Sequence, residues 1–302
     1  MMRYKNVLLL YNGAAGNGDI AETLQQVTRR LAPDIVELTL YQTQKEGDAT
    51  RISTERGKEL DLLIIMGGDG TVHESINGIM QLEPEYRPTV AILPTGTCND
   101  FSRALDNHTI EEALEAILEG RTISVDIGQM NDHYFSNFVG LGLITEASKS
   151  KEGNLKDRFG KFGYLLSAVQ SLKNPEPFSY TLTTDKETKS GEAIMILAMN
   201  GHYLGTAGLF LEKTLLTDAL LDLFIVQEAG MTLVKNVYNQ TFADENGRRE
   251  AEGLEVFQAG RFTLETDPSL DVDSDGEIYV NTPLEITVHP EAIAFIKGWE
   301  EG

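Results

Sequence analysis

Three apolar runs near the start of the chain each end in a polar loop that carries glycine. VLLLYN (7–12) runs into NGAAGNG (12–18), LLIIM (62–66) into GGDGT (67–71), and TVAILP (89–94) into TGTCND (95–100). A short apolar run bounded by turn residues reads as a strand buried on both faces. IVELTLY (35–41) adds a further strand. Between the strands lie stretches with helical spacing: IAETLQQVTRRLA, VHESINGIMQ and IEEALEAILEG, the last stopped by Gly120. Asp48 is placed to cap another helix that runs toward Glu59. Repeated strand–helix units imply a parallel sheet with helices on both faces.

After Arg121 the rhythm changes. TISVDIGQM, HYFSNFVGLG, FSYTLTTD, EAIMILAMNG, LLDLFIVQEA, EVFQAGRFTLET, GEIYVN and LEITVH read as strands with short turns between them. LKDRFGKFGYLLSAVQSLK and MTLVKNVYNQTFA read as helices, and PEAIAFIKGWEEG as a short helix and tail. Many strands with few helices predict an antiparallel sandwich. The expected domains are therefore an α/β unit over 1–126 and a β-sandwich over 127–289, with 290–302 free to pack back on the first.

A chain of 302 residues with 41% hydrophobic content can fill two cores. Its longest apolar runs fall far short of the roughly 18 residues that would suggest a membrane span. The N-terminus leads straight into a strand, so no targeting segment is expected. A lone cysteine, Cys98, fits a reducing cytosol, and we expect a cytoplasmic protein. The formal charge of -22 argues against nucleic acid as a partner, because such binding neutralises phosphates with Lys and Arg. Against that background, Lys149, Lys151, Lys156, Arg158 and Lys161 form a local basic surplus over Glu152 and Asp157. The surplus is either an ordinary solvated helix or a contact for anionic membrane or nucleotide.

The three glycine loops fall at the carboxyl ends of the parallel strands, where such sheets bind ligands. Glycine lets backbone N–H groups approach a ligand, and the following helix offers its positive dipole end, a combination that suits phosphate. No ordinary P-loop is present, and Gly13, Gly16 and Gly18 reverse the spacing of the dinucleotide fingerprint. Asp69 is a lone carboxylate among these glycines. It is either a cap for the next helix or the partner of a Mg²⁺ that lies against phosphates.

GGDGTVHESINGI (67–79) resembles the GGDGTxxExxNG signature of the diacylglycerol kinase catalytic domain, and LPTGTCNDFSRAL (93–105) resembles the second motif of that family. Their order and spacing are similar to those of the bacterial soluble lipid kinases. NFVGLG (137–142), KFGY (161–164), Asn200 and Asp275-Gly276-Glu277 continue the likeness over nearly the whole chain. GGDG alone is shared with NAD kinases and phosphofructokinases. The resemblance implies an α/β nucleotide-binding domain, a C-terminal β-sandwich, and ATP in the cleft between them. By the same resemblance, Asn12, Gly13, Ala14, Ala15, Gly16, Thr43, Gly67, Gly68, Asp69, Gly70, Thr71 and Thr97 would hold the nucleotide. Asp69 and Glu277 would be catalytic, Glu277 as general base. A second Mg²⁺ would sit on the carbonyls of Leu215 and Leu220 and the carboxylate of Asp218. The implied activity is ATP- and Mg²⁺-dependent phosphorylation of a lipid hydroxyl, diacylglycerol-like, at the membrane surface. That implies transient peripheral contact, and a homodimer is one option for its assembly.

The chain departs from the family at two points. Its first loop reads Asn12-Gly13-Ala14-Ala15-Gly16, without the usual Pro and Ser. In the later DGxLD segment, Ala219 replaces Gly. Two other readings stand beside the lipid kinase: a kinase of a soluble substrate, and a nucleotide-binding regulatory protein without activity. Asp271-x-Asp273-x-Asp275-Gly276 imitates the start of a calcium loop, but the twelfth position is Thr282 rather than Glu. His73 could touch phosphate or be a solvated helix residue. Glu74 and Asn77 share a helix face and could support the loop. Asn99 and Asp100 could orient the loops or a substrate hydroxyl, or Asp100 could cap a helix. Cys98 has no evident His partner and reads as a bystander.

Overall fold

The computed structural model describes residues 4–13, 20–145, 175–203, 215–228, 249–251 and 253–299. The helices expected over LKDRFGKFGYLLSAVQSLK and MTLVKNVYNQTFA, and the basic segment 149–161, lie outside them. The chain divides into two compact units, residues 1–125 with 291–302, and residues 126–290.

In the first unit, strand and helix alternate as β1 (Tyr4–Asn12), α1 (Ile20–Leu31), β2 (Ile35–Thr43), α2 (Asp48–Arg56), β3 (Leu62–Gly67), α3 (Asp69–Ile79), β4 (Thr89–Pro94), α4 (Asp100–Ala104) and α5 (Ile110–Glu119). The strands are parallel in the order β2-β1-β3-β4. All six residues of β3 are buried, as a central strand covered on both faces requires. Val7, Leu9, Leu62, Ile64, Met66 and Leu93 pack with Val27 and Leu31 of α1 and Ala113 and Ile117 of α5. Leu8, Leu10, Leu63 and Ile65 are buried on the alternate positions. Helix α5 begins at a capping box, in which Thr109 Oγ accepts from the Glu112 N–H and Glu112 accepts from the Thr109 N–H. It stops at Gly120, whose φ of 65° is left-handed.

The second unit contains most of β5 (Thr122–Met130), then β6 (His133–Phe135), β7 (Phe138–Gly142), β8 (Phe178–Thr184), β9 (Thr188–Ala193), β10 (Met195–Met199), β11 (Leu221–Val226), β12 (Arg249–Ala251), β13 (Leu254–Ala259), β14 (Arg261–Asp267), β15 (Asp271–Ser274) and β16 (Glu277–Asn281). One sheet runs β12-β13-β11-β10-β7-β15-β16 and is antiparallel throughout. Its inner residues Val139, Leu141, Ile196, Leu223, Ile225 and Val272 meet Phe178, Tyr180, Leu182, Phe262 and Leu264 from β8 and β14. That is a sandwich core built from alternating side chains. EVFQAGRFTLET, expected as one strand, is two. The break is Gly260, after which the chain leaves the sheet of β13 and pairs with β8 instead. A Cβ on Gly260 would lie 2.7 Å from the Ala219 carbonyl oxygen, so only glycine fits this corner without a shift.

The C-terminal stretch corrects a second expectation. β17 runs from Leu284 to Ile296, so PEAIAFI is strand rather than helix. Ile293 and Phe295 alternate into the core at 1% and 0% exposure, and Phe295 pairs in parallel with Val90 of β4. The Phe295 ring meets Phe101 edge to face at 5.1 Å. Asn107 donates to the Ile296 carbonyl at 3.0 Å and Arg87 to that of Ala292 at 3.0 Å. These long-range partners override the helical preference of alanine.

Candidate active site

The loops after β3 and β4 touch back to back. A Cβ on Gly68 would lie 3.1 Å from Gly96 Cα, and one on Gly96 would lie 2.6 Å from Gly68 Cα. No larger residue permits that approach without a shift in backbone. The Thr95 N–H donates to the Gly67 carbonyl at 3.2 Å. Asn99, held at a left-handed φ of 51°, accepts from the Gly96 N–H through its side-chain oxygen and returns a bond to the Gly96 carbonyl.

Asp69 joins the two loops. Its carboxylate accepts the Asn99 N–H at 3.0 Å and the Asp100 N–H at 2.9 Å. Asp69 therefore caps a neighbouring helix, α4, across space, while it is itself the first residue of α3. Asp100 also pairs with Arg103 at 3.6 Å.

A cleft of about 730 Å³ opens over this platform, lined by Asn12, Gly13, Gln42, Thr43, Gln44, Lys45, Glu46, Ala49, Gly68, Gly70, Thr71, Glu74 and Gly96. Of the residues expected to hold a nucleotide, it gathers Asn12, Gly13, Thr43, Gly68, Gly70 and Thr71. Gly67, Asp69 and Thr97 do not line it. Ala14, Ala15 and Gly16 lie outside the described residues. Gln42, Gln44, Lys45, Glu46 and Gly96 were not singled out from the sequence; their adjacency to Thr43 and Thr97 was the available signal.

The rest of the GGDGTVHESINGI segment assembles the frame. Glu74 accepts the Ala49 N–H at 3.1 Å, and Thr50 Oγ donates to the Glu74 carbonyl. Gly78 lies against Thr50 and Ser53 where α2 crosses α3. Asn77 donates to the His73 carbonyl at 2.9 Å. His73 is buried, at 2% exposure, so it is neither a solvated residue nor a phosphate contact in the cleft. Thr43 Oγ donates to the Tyr11 carbonyl at 3.4 Å and ties β2 to β1. Asp48 accepts the N–H groups of Gln44 and Lys45, and these bonds, with the Arg51 guanidinium, hold its carboxyl below the usual range. It closes the turn before α2, whose N-cap position is Gly47.

In the second unit, the tight turn Asp275–Gly276 has φ of 51° and 94°. Asp275 accepts the N–H groups of Ser136, Asn137 and Phe138, together with the Ser136 hydroxyl. Asp273 accepts the Gly276 N–H at 2.7 Å, and Asp271 accepts from Asn281. Asp271 and Asp273 thus serve the β15–β16 hairpin while Asp275 ties its turn to residues 136–138, and the calcium-loop reading fails on geometry. Glu277 follows as the exposed first residue of β16.

Asp218 lies in the turn before β11. It accepts the Leu220 N–H at 3.0 Å, and the Ala219 N–H donates to Asp126 at 2.6 Å. Burial pushes the Asp218 carboxyl above its ordinary range, and Asp222 and Asp126 push it the same way. Ala219 has a φ of 60°, so the family's glycine is replaced where the backbone is left-handed. Leu215 is 55% exposed. Among the described residues, no group of three or more His, Cys, Asp or Glu side chains is gathered for a metal.

Residues 6–130 match the diacylglycerol kinase catalytic domain, and residues 138–297 match the YegS C-terminal NAD kinase beta sandwich-like domain. The chain belongs to the diacylglycerol kinase catalytic-domain family. Within this kinase family, a Staphylococcus aureus (strain JH9) protein named "Putative lipid kinase" is 34% identical over 97% of each chain. A solved structure described as "a putative diacylglycerol kinase", from Bacillus anthracis strain Sterne, is similar at 35% identity and a TM-score of 0.88, covering 99% of this chain and 98% of that one. An NAD kinase from Archaeoglobus fulgidus, solved with ATP, shares the fold at 11% identity and a TM-score of 0.52, with 97% and 94% covered.

Proposed function

We propose that the chain is an ATP- and Mg²⁺-dependent lipid kinase that phosphorylates a diacylglycerol-like hydroxyl at a membrane surface. The observation that carries this reading is the platform of Gly68, Gly96 and the α3 N-terminus under the 730 Å³ cleft. The bare glycines let the two loops pack together under the cleft, and the α3 N-terminus offers backbone donors that suit phosphate oxygens, so the residues present fit a nucleoside triphosphate. Family membership supports the same donor and acceptor class. ATP would supply the phosphoryl group and Mg²⁺ would neutralise charge on its phosphates. Gly68, Gly70 and the Thr71 hydroxyl would bind the phosphates, with Gly96 packed against Gly68, and Asn12 and Thr43 would bind the rest of the nucleotide. Asp69 would hold the two phosphate loops together, and its negative charge beside them would favour a Mg²⁺ on the phosphates. Glu277, exposed and fixed by the Asp275–Gly276 turn, would take the hydroxyl proton.

For the second Mg²⁺, the donor set of Leu215 carbonyl, Asp218 carboxylate and Leu220 carbonyl is made of hard oxygens. Titration of Mg²⁺ at saturating MgATP should show a further activation that Asp218→Ala removes; one phase, fully explained by MgATP, would remove the site. The test of function is incubation with labelled ATP and a lipid extract, with Glu277→Gln as control. Label in a lipid, and loss of about 10²-fold or more in the control, is expected. Label only in soluble acceptors would overturn the reading.

A further inference from the structure

The two ends of the cleft differ in chemistry. At one end are the glycines and the N-terminus of α3, with little side-chain bulk. At the other are the end of β2 and the loop after it, which present Gln42, Gln44, Lys45 and Glu46. Strand register fixes their separation. Gln42 pairs with Tyr11 of β1, and Tyr11 pairs with Met66, the residue before Gly67. Two strand spacings of about 4.8 Å each therefore separate Gln42 from the phosphate platform. That is the span from a nucleotide's phosphates to its sugar and base. If phosphates lie at α3, the base lies toward β2.

The Gln42 carboxamide has a defined seat. A Cβ on Gly13 would overlap its Nε2 and lie 2.7 Å from its Cδ, so the amide rests over the bare glycine. The Gln42 backbone carbonyl accepts from Gln44 Nε2 at 3.3 Å. Gly13 is one of the positions at which this chain departs from the family loop, where proline is usual. A proline ring there would evict the Gln42 side chain.

We propose that Gln42, seated on Gly13, reads the base of the nucleotide and selects adenine over guanine. The proposal rests on the nucleotide reading of the cleft. A carboxamide offers a donor beside an acceptor, which matches the N7 acceptor and N6 amine of adenine. Guanine presents two acceptors, N7 and O6, at that edge and leaves the amide oxygen opposed to one of them. A glutamate at this position would instead match guanine's N1–H and N2 amine.

The test is calorimetric binding of MgATP, MgGTP and inorganic tripolyphosphate to the full chain. Wild type should favour ATP over GTP. Gln42→Ala should weaken ATP and bring it to parity with GTP, a change on the order of tenfold, with tripolyphosphate unaltered. Gln42→Glu should shift preference toward GTP, and Gly13→Pro should behave as Gln42→Ala. An unchanged ATP-to-GTP ratio in Gln42→Ala, with tripolyphosphate still bound, would overturn the role of Gln42. Failure of wild type to bind either nucleotide or tripolyphosphate would overturn the nucleotide cleft itself.

Discussion

Asp69 sits among glycines because its carboxylate reaches across to a second loop, and glycine on both sides lets the loops come close enough for that. Asp69→Asn would replace one acceptor by an NH₂ that faces a backbone N–H. We expect stability to fall by about 1 kcal/mol in urea unfolding and turnover to fall at least about tenfold, or 1.4 kcal/mol in the barrier. Stability loss with full turnover would leave Asp69 as a cap alone. Ala219 is the converse case, a side chain at a φ of 60°. Its left-handed backbone costs roughly 1–2 kcal/mol, part of which the greater chain entropy of unfolded glycine offsets. Ala219→Gly should therefore stabilise the protein by about 1 kcal/mol, read from the urea midpoint at unchanged slope. A destabilised variant would mean that the Ala219 methyl packs usefully.

At the scale of elements, α3 shows why signature residues can be recognised before their roles are known. GGDGTVHESINGI announces a strand–loop–helix step, but Glu74 and Gly78 act on α2, which lies earlier in the chain. Nothing in the local pattern reveals that crossing. Gly78→Ala should push α2 away from α3 and cost about 1–3 kcal/mol as an overpacked contact; a melting curve that matches wild type would show that the crossing can relax. Strands β1, β3 and β4 were legible because each is an apolar run that enters a glycine-bearing loop, and α5 because its cap box and Gly120 are both local. The end of β17 was not, since PEAIAFI gains its strand form from Val90, Phe101 and Arg87, far away in sequence. The same holds for Asp275, whose partners Ser136, Asn137 and Phe138 lie well over a hundred residues earlier. In the site, the glycine loops could be read, whereas Gln42 needed the strand register to place it.

For the whole molecule, a charge of -22 opposes approach to an anionic membrane, and no described helix is long and apolar enough to cross one. The proposed lipid kinase activity requires contact with substrate at such a surface. The strong basic surplus in the sequence is 149–161, which lies outside the described residues, and its attraction to such a surface is one of charge. Each Lys or Arg near an anionic leaflet contributes about 1 kcal/mol. Charge reversal at Lys149, Lys151 and Lys156 should therefore weaken binding to anionic vesicles by about 3 kcal/mol in sum, more than a hundredfold in Kd. Raised salt should narrow the difference, because exposed charges are screened. Activity on a short-chain substrate in detergent should survive, since no anionic surface is involved there. Equal loss in both assays would place these lysines at the nucleotide or the reacting groups, and unchanged vesicle binding would require another route to the membrane for a protein so acidic.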